Sequence, residues 1–229
     1  TSPDSVGSMT SPELAARWYD ELLSPAFLPE ELPEHDEMVA GIVDGRIIAH
    51  ALGDQESPEA LALGRFHEPS GVLLLEFLSV RPGLRGKGSG ARLLDEALTS
   101  WQAEFEPSMI VGEIEHPWLR EADEALGDPV ARLRFYHRAG VRVVPVAYVL
   151  PPMRAGGPSV PHLMLGVFRA DGSLPGNSIP AAPLRSFLAD RFPHAEAPYA
   201  QALTDVEVDE LPTITLDVAV GDLPNAPSR

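Results

Sequence analysis

One segment of the chain joins an apolar strand to an amphipathic helix: Val80-Arg81-Pro82-Gly83-Leu84-Arg85-Gly86-Lys87-Gly88-Ser89-Gly90-Ala91-Arg92-Leu93-Leu94. Gly86, Gly88 and Gly90 carry no Cβ, so a ligand can approach the backbone closely there. Backbone N–H groups at the start of the following helix favour an anion. Arg85 and Lys87 add positive charge at the same place. The segment therefore predicts a phosphate-binding loop.

Two other phosphate-binding loops share part of this pattern. A Walker A loop has Ser or Thr after Gly-Lys, whereas Gly88 follows Gly86-Lys87, so the hydroxyl that would contact magnesium is missing. The dinucleotide-binding pattern Gly-x-Gly-x-x-Gly/Ala is met by Gly86, Gly88 and Ala91. In that pattern the first glycine follows its strand almost directly, whereas residues 81–85 intervene here. An NAD(P) site is therefore the less favoured alternative.

Composition limits the function classes that the chain can belong to. Its 229 residues with 44% hydrophobic content can bury one substantial core, with or without an appended subdomain. The formal net charge of −17 opposes binding to nucleic acid and would attract a cationic acceptor, although an acidic surface that keeps the protein soluble is the commoner reason for such a charge. The absence of cysteine excludes disulfides, thiolate metal sites and a thiol nucleophile. The histidines lack metal-ligand spacing, and no run is apolar enough to cross a bilayer, so we predict a cytoplasmic protein without metal or membrane contacts.

Hydrophobic periodicity and turn residues predict the elements before the loop. Ser11 as N-cap and Pro12 begin a helix that ends before Pro25. Asp44-Gly45 lies between two apolar runs and predicts a hairpin of strands over 38–43 and 46–52. Two more strands are predicted over 61–66 and 72–80, so four antiparallel strands would precede the loop.

Helices and strands alternate after the loop. An apolar stripe predicts a helix through Phe105, followed by a strand over 109–115. Asp128 as N-cap and Gly140 as the closing residue mark another helix. The remaining predicted elements are strands over 142–150 and 162–168 and short helices over 184–192 and 199–203.

Two stretches of this sequence carry a resemblance to a known family. The order strand, Val-Arg-Pro, Arg-Gly-x-Gly-x-Gly, helix resembles the acetyl-CoA loop of the GNAT N-acetyltransferase superfamily, whose pattern is Arg/Gln-x-x-Gly-x-Gly/Ala. The stretch 133–141 resembles the family's second signature, in which an aromatic residue and a tyrosine precede a glycine. Val141 stands where the family usually has Phe, and the Asn often found early in this helix is absent. The resemblance covers about residues 72–150.

The resemblance implies a fold and a domain organisation. The fold class is α/β of the α+β kind, with a mixed, largely antiparallel sheet flanked by helices and acetyl-CoA at the loop between the fourth strand and the third helix. We expect a flexible N-terminus over residues 1–9 and a GNAT-like acetyltransferase domain over 10–170. Residues 171–229 would form a C-terminal extension packed on the same domain, because the segment is too short for its own core. A homodimer contact through this extension stays open.

The resemblance also implies roles for individual residues. The Val80 N–H would hydrogen-bond the thioester carbonyl and stabilise its oxyanion. Tyr136 would donate a proton to the departing CoA thiolate, the alternative being a core aromatic residue. The cofactor-binding residues implied by the family pattern are Leu78, Val80, Arg85, Gly86, Lys87, Gly88, Ser89 and Gly90.

Acetyl transfer to an amine also requires a proton acceptor, and three carboxylates are candidates. Glu76 is the first choice, because it lies within the apolar run 72–80 and shares the alternating face of Leu78. Its alternative role is that of an ion-pair partner for an arginine. Glu113 and Glu115 share one face of the next strand and are second choices, as bases or as ligands of the acceptor amine, unless they face solvent.

The resemblance implies an acetyltransferase that moves the acetyl group of acetyl-CoA to an amine by direct attack. The acceptor, a small molecule or a peptide, cannot be identified from one sequence because acceptor pockets lie in variable loops. Two alternatives stay open: a non-catalytic acyl-CoA-binding or regulatory module, and an NAD(P)-binding oxidoreductase.

Overall fold

Helices and strands alternate along the chain in the residues that the computed structural model describes, which are 10–119, 121–122, 126–217 and 222–226. The predicted flexible segment 1–9 lies outside these residues. The chain divides into two units. The first comprises the chain up to Phe66 together with Leu75–Glu106, and the second comprises His67–Leu74 and the chain from Pro107 onward.

Six α-helices and nine strands are present in the described residues. The helices are α1 (Pro12–Trp18), α2 (His35–Val43), α3 (Ser89–Phe105), α4 (Pro129–Arg138), α5 (Ala182–Arg191) and α6 (Ala200–Asp205). The strands are β1 (Ile48–Leu52), β2 (Ala60–His67), β3 (Val72–Val80), β4 (Met109–Glu115), β5 (Arg142–Val144), β6 (Leu163–Ala170), β7 (Ser178–Pro180), β8 (Glu210–Pro212) and β9 (Ile214–Thr215). None of these helices is both long and apolar enough to cross a membrane.

The first unit is built on β1, β2 and β3. β1 pairs antiparallel with β2, and β3 is the other neighbour of β2. The Ser11 hydroxyl caps α1 by accepting the N–H of Leu14 at 3.2 Å, as predicted. α1 packs against α2, while α3 packs against β1. The pairing of β3 with β2 and the packing of α3 on β1 hold the two elements that flank the glycine-rich loop.

The predicted hairpin over 38–52 is wrong in its first half, because residues 38–43 belong to α2. Met38 and Ile42 are buried four residues apart, which is the spacing of a helix face. Gly45 adopts a positive φ of 79° after the helix, so Asp44-Gly45 ends a helix rather than connecting two strands. Three strands therefore precede the loop, which joins the third strand to the third helix.

The second unit contains the strand order β4-β6-β5-β9, with antiparallel pairing at each step. β7 and β8 form a separate antiparallel pair. The apolar core of this unit combines residues of the strands with residues that follow position 171. From the strands it includes Met109, Val111, Val144, Leu165 and Val167, and from the later segment Ile179, Leu184, Phe187, Leu188, Phe192, Tyr199 and Leu211.

β5 is shorter than the predicted strand over 142–150. It ends at Val144, and Pro145 follows, which has no N–H to donate to a neighbouring strand. The chain continues irregularly, with the Ala147 N–H bound to the Asp205 carboxylate at 2.8 Å. The other predicted elements after the loop are present with small shifts of their ends. The fold class is the predicted one, a mixed sheet of mostly antiparallel strands flanked by helices.

Candidate functional site

Buried and partly buried residues alternate along the last part of β3. Phe77 and Ser79 are buried, whereas Glu76, Leu78 and Val80 are only partly buried. The Ser79 hydroxyl donates to the Leu22 carbonyl at 2.6 Å, which fixes the buried face. Glu76 therefore lies on the same face of β3 as Leu78 and Val80, as the alternation predicted.

The glycine-rich loop exposes its backbone where it meets α3. Gly86 and Gly88 have φ of 76° and 94°, values that side chains with a Cβ rarely adopt, and Gly88 is the N-cap of α3. A Cβ built on either residue would meet no atom within 4 Å, so both backbones border open space. The first N–H groups of an α-helix lack intrahelical partners and attract anions. The loop therefore has the form of an anion-binding site.

Two cationic side chains lie along the loop. The Arg85 Nε donates to the Val80 carbonyl at 3.3 Å, and the Lys87 Nζ donates to the Gly83 carbonyl at 2.9 Å. Arg85 is partly buried and Lys87 is exposed. Both cations are thus held close to the loop backbone.

Glu76 forms an ion pair with Arg65 of β2. The Arg65 Nε lies 3.0 Å from each carboxylate oxygen, and the Glu76 side chain is only 3% exposed. This arrangement matches the alternative role that the sequence left open. The signal was present in the sequence, because Arg65 and Glu76 are charged residues inside two apolar strands that a short turn connects.

Glu113 of β4 belongs to a buried polar network in the second unit. Its Oε1 accepts hydrogen bonds from the Tyr148 hydroxyl and, at 2.8 Å, from the Arg191 Nη2. The Arg191 Nε donates to the Tyr148 hydroxyl oxygen at 2.8 Å. Burial raises the pKa of Tyr148 well above its ordinary value, against the opposing effect of Arg191. Sequence reasoning assigned no role to Tyr148 or Arg191.

Glu115 lies on the same strand but has a different partner. Its Oε2 accepts a hydrogen bond from the Arg132 Nη1 at 2.9 Å, and its side chain is 6% exposed. Glu113 is 11% exposed. Neither carboxylate faces solvent, so the solvent-facing alternative for this pair is wrong.

Tyr136 of α4 is almost completely buried. Its ring meets Phe168 edge to face, with 5.6 Å between the ring centroids. Its hydroxyl makes no hydrogen bond with another residue in the described part of the chain. Burial raises the pKa of Tyr136, more than nearby Arg132 lowers it, so the phenol keeps its proton at neutral pH.

The predicted site residues fall into two groups. The first unit brings together Leu78, Val80, the loop 85–90 and Glu76. Tyr136, Glu113 and Glu115 lie in the second unit, where they have separate partners.

Comparisons with known proteins found one family model and several similar solved structures. The family model described as acetyltransferase (GNAT) family matches residues 5–140. A solved structure from Bacteroides thetaiotaomicron, assigned to the GNAT acetyltransferases, is 26% identical over 66% of this chain and 78% of that chain, with a TM-score of 0.51. The ribosomal-protein-S18-alanine N-acetyltransferase from Escherichia coli is 14% identical over 76% of this chain and 94% of its own, with a TM-score of 0.48.

A further solved structure, an aminoglycoside 6'-N-acetyltransferase complexed with coenzyme A, is 18% identical over 69% of this chain and 91% of its own, with a TM-score of 0.46. No curated protein matches the sequence. The matched family model covers more than half of the chain and includes the loop and the Tyr136 helix. The chain belongs to the acetyltransferase (GNAT) family.

Proposed function

We propose that this N-acetyltransferase moves the acetyl group of acetyl-CoA directly to an amine, and that the loop 85–90 binds the pyrophosphate of CoA. The observation that carries the proposal is the open backbone at Gly86 and Gly88, which have positive φ at the N-terminus of α3. Arg85 and Lys87 lie on the same loop and add positive charge. Family membership supports acetyl transfer but does not identify the acceptor.

The residues of β3 would align and activate the thioester. The Val80 N–H would donate a hydrogen bond to the thioester oxygen, which becomes more negative as the amine attacks. Leu78 and Val80 would hold the pantetheine arm along the strand. Tyr136 would donate its proton to the departing thiolate, and its buried, protonated phenol is suited to that role.

Proton removal from the amine is the remaining requirement. An amine with a pKa of about 10.4 costs roughly 4.6 kcal/mol to deprotonate at pH 7. We propose that Glu76 accepts this proton through a short water chain, since it lies on the same face of β3 as Val80, although its side chain is only 3% exposed. The ion pair with Arg65 would then hold the carboxylate in place. The net charge of −17 supports an acceptor that is itself cationic, such as a small polyamine or a basic peptide.

Binding of acetyl-CoA should raise the melting temperature of the protein. At 100 times its dissociation constant, a ligand that binds only the folded state adds about 2.7 kcal/mol to the free energy of unfolding. A thermal-shift series with acetyl-CoA, CoA, NAD(P) and ATP measures this effect for each cofactor class. The proposal requires a shift with acetyl-CoA and CoA, and the absence of a shift at millimolar acetyl-CoA would end it.

Replacing both loop cations with alanine, Arg85→Ala with Lys87→Ala, should weaken CoA binding by about a hundredfold or more. Each charged hydrogen bond to phosphate is worth about 1.5 kcal/mol or more, and the loss should be larger at low salt than at high salt. Titration calorimetry at two salt concentrations measures it. The control is Arg17→Ala with Arg46→Ala, which changes the net charge equally at two exposed ion pairs. Equal affinity in the loop variant and the control would place CoA elsewhere.

A further inference from the structure

Residues 57–59, just before β2, contact both ends of the segment 81–89, which joins β3 to α3 and contains the glycine-rich loop. At the beginning of the loop, the Arg81 N–H donates to the Glu59 carbonyl at 2.9 Å, and the Arg81 Nε donates to the Pro58 carbonyl at 3.2 Å. At its end, the Ser89 hydroxyl donates to the Glu59 Oε2 at 3.0 Å. Glu59 thus holds the residue that follows β3 with its backbone and the first residue of α3 with its carboxylate.

Glu59 is itself fixed within the first unit. Its N–H donates to the carbonyl of Leu52, the last residue of β1, at 2.9 Å. The next residue, Ala60, begins β2. Ser89, the hydroxyl partner, is buried at the start of α3. The carboxylate therefore connects the first turn of α3 to the rigid edge where β1 and β2 meet.

The negative charge of Glu59 works against the binding of phosphate at this loop. A carboxylate near a helix N-terminus interacts well with the helix dipole, but it repels an anionic ligand that uses the same N–H groups. Attraction between Glu59 and the phosphate ligand therefore cannot be the reason for a carboxylate at this position. The hydrogen bonds of Glu59 explain it, because they tie Arg81 and Ser89 to one residue.

We propose that Glu59 is a positioning residue for CoA binding, which sets the separation of the two ends of the loop through Arg81 and Ser89. The inference rests on the proposed function, in which the loop binds the pyrophosphate of CoA. It assigns Glu59 no contact with the ligand.

Two substitutions at Glu59 should have different effects on CoA affinity. Glu59→Ala removes the acceptor of the Ser89 hydroxyl and should weaken CoA binding by about tenfold, since a hydrogen bond to a charged group is lost and the first turn of α3 is released. Glu59→Gln keeps an amide oxygen as acceptor and removes the negative charge. Its affinity should therefore equal or exceed that of the unmodified protein.

Titration calorimetry with CoA, together with amide hydrogen exchange of residues 81–90 without ligand, tests the proposal. The matched control is Glu56→Ala, which makes the same charge change at a side chain that is 67% exposed and paired with Arg17. We expect faster exchange in the loop and weaker CoA binding for Glu59→Ala but not for Glu59→Gln or Glu56→Ala. Equal effects of Glu59→Ala and Glu59→Gln, or of Glu59→Ala and Glu56→Ala, would overturn the inference.

The two measurements also separate this inference from the proposed function. If the unmodified protein does not bind CoA, the proposed function fails, while the exchange rates still report whether Glu59 holds the loop. If the unmodified protein binds CoA and Glu59→Ala binds it equally well with unchanged exchange, only the role of Glu59 is refuted.

Discussion

Replacing Arg191 with methionine should lower the free energy of unfolding by about 3 kcal/mol, because it leaves a buried carboxylate without its cation. Arg191 and Glu113 are 16% and 11% exposed, so water compensates little for the missing charge. Tyr148 also loses the Nε–H that its hydroxyl accepts at 2.8 Å. Methionine retains much of the aliphatic length of arginine, so the change in packing is small. Chemical denaturation at pH 7 measures the loss.

Two controls show whether the effect arises from the uncompensated charge. Arg17→Met removes an exposed ion pair with Glu56 and should cost at most about 1 kcal/mol. Adding Glu113→Gln to Arg191→Met removes the unpaired charge and should restore part of the lost free energy. If Arg191→Met costs no more than Arg17→Met, or if Glu113→Gln restores nothing, the network does not stabilise the second unit as an ion pair.

The network gives the segment after residue 171 a physical role that the sequence did not reveal. Arg191 is the last residue of α5, and its partner Glu113 lies on β4, 78 positions earlier. No local spacing connects two residues so far apart. The sequence shows that α5 has an apolar face that would be buried. It does not show which strand that face packs on, because tertiary packing alone decides the partner.

Hydrophobic periodicity and turn residues predicted most of the helices and strands correctly. They failed where one sequence pattern is compatible with two kinds of local structure. Asp44-Gly45 serves equally to turn a hairpin and to end a helix, since both require a residue with positive φ. In the structure a Cβ at Gly41 would come within 2.7 Å of the Ile47 side chain, so Ile47 packs directly on α2. Pro145 is a different case, because its missing N–H was visible in the sequence and should have ended β5 at Val144.

The candidate site was predicted in part for the same reason. The loop and the alternation along β3 are local patterns, so Leu78, Val80 and Glu76 were correctly placed on one face. Their roles in binding and catalysis remain predictions. Glu59 was missed, because its contacts with Arg81 and Ser89 join residues distant in sequence. Arg65 was not identified as the partner of Glu76, although both charges were visible inside neighbouring apolar strands. Family membership, by contrast, was confirmed, and with it the dinucleotide-binding alternative loses its support.

Glu76→Gln and Tyr136→Phe should each lower turnover by about a hundredfold at neutral pH, the usual contribution of a general base or acid. They should differ in their response to pH. Without Glu76, turnover should recover as the pH rises toward the pKa of the amine, because solvent then removes the proton. Without the Tyr136 hydroxyl no such recovery is expected, since higher pH does not help to protonate a thiolate. Initial rates of CoA release from pH 6 to 10, with an amine acceptor found by a panel screen, measure both profiles.

Melting temperatures separate catalysis from packing in these variants. In Glu76→Gln the amide oxygen could still accept the Arg65 Nε–H, and Arg65 is 32% exposed, so water can solvate its charge and the fold should persist. Tyr199→Phe removes another buried hydroxyl in the second unit and serves as the control for Tyr136→Phe. If Glu76→Gln lowers the melting temperature and shows no recovery at high pH, Glu76 is only the partner of Arg65, and the same test passes to Glu113 and Glu115. If the turnover of Tyr136→Phe equals that of Tyr199→Phe, Tyr136 is not the general acid. Its role is then packing, through the edge-to-face contact with Phe168.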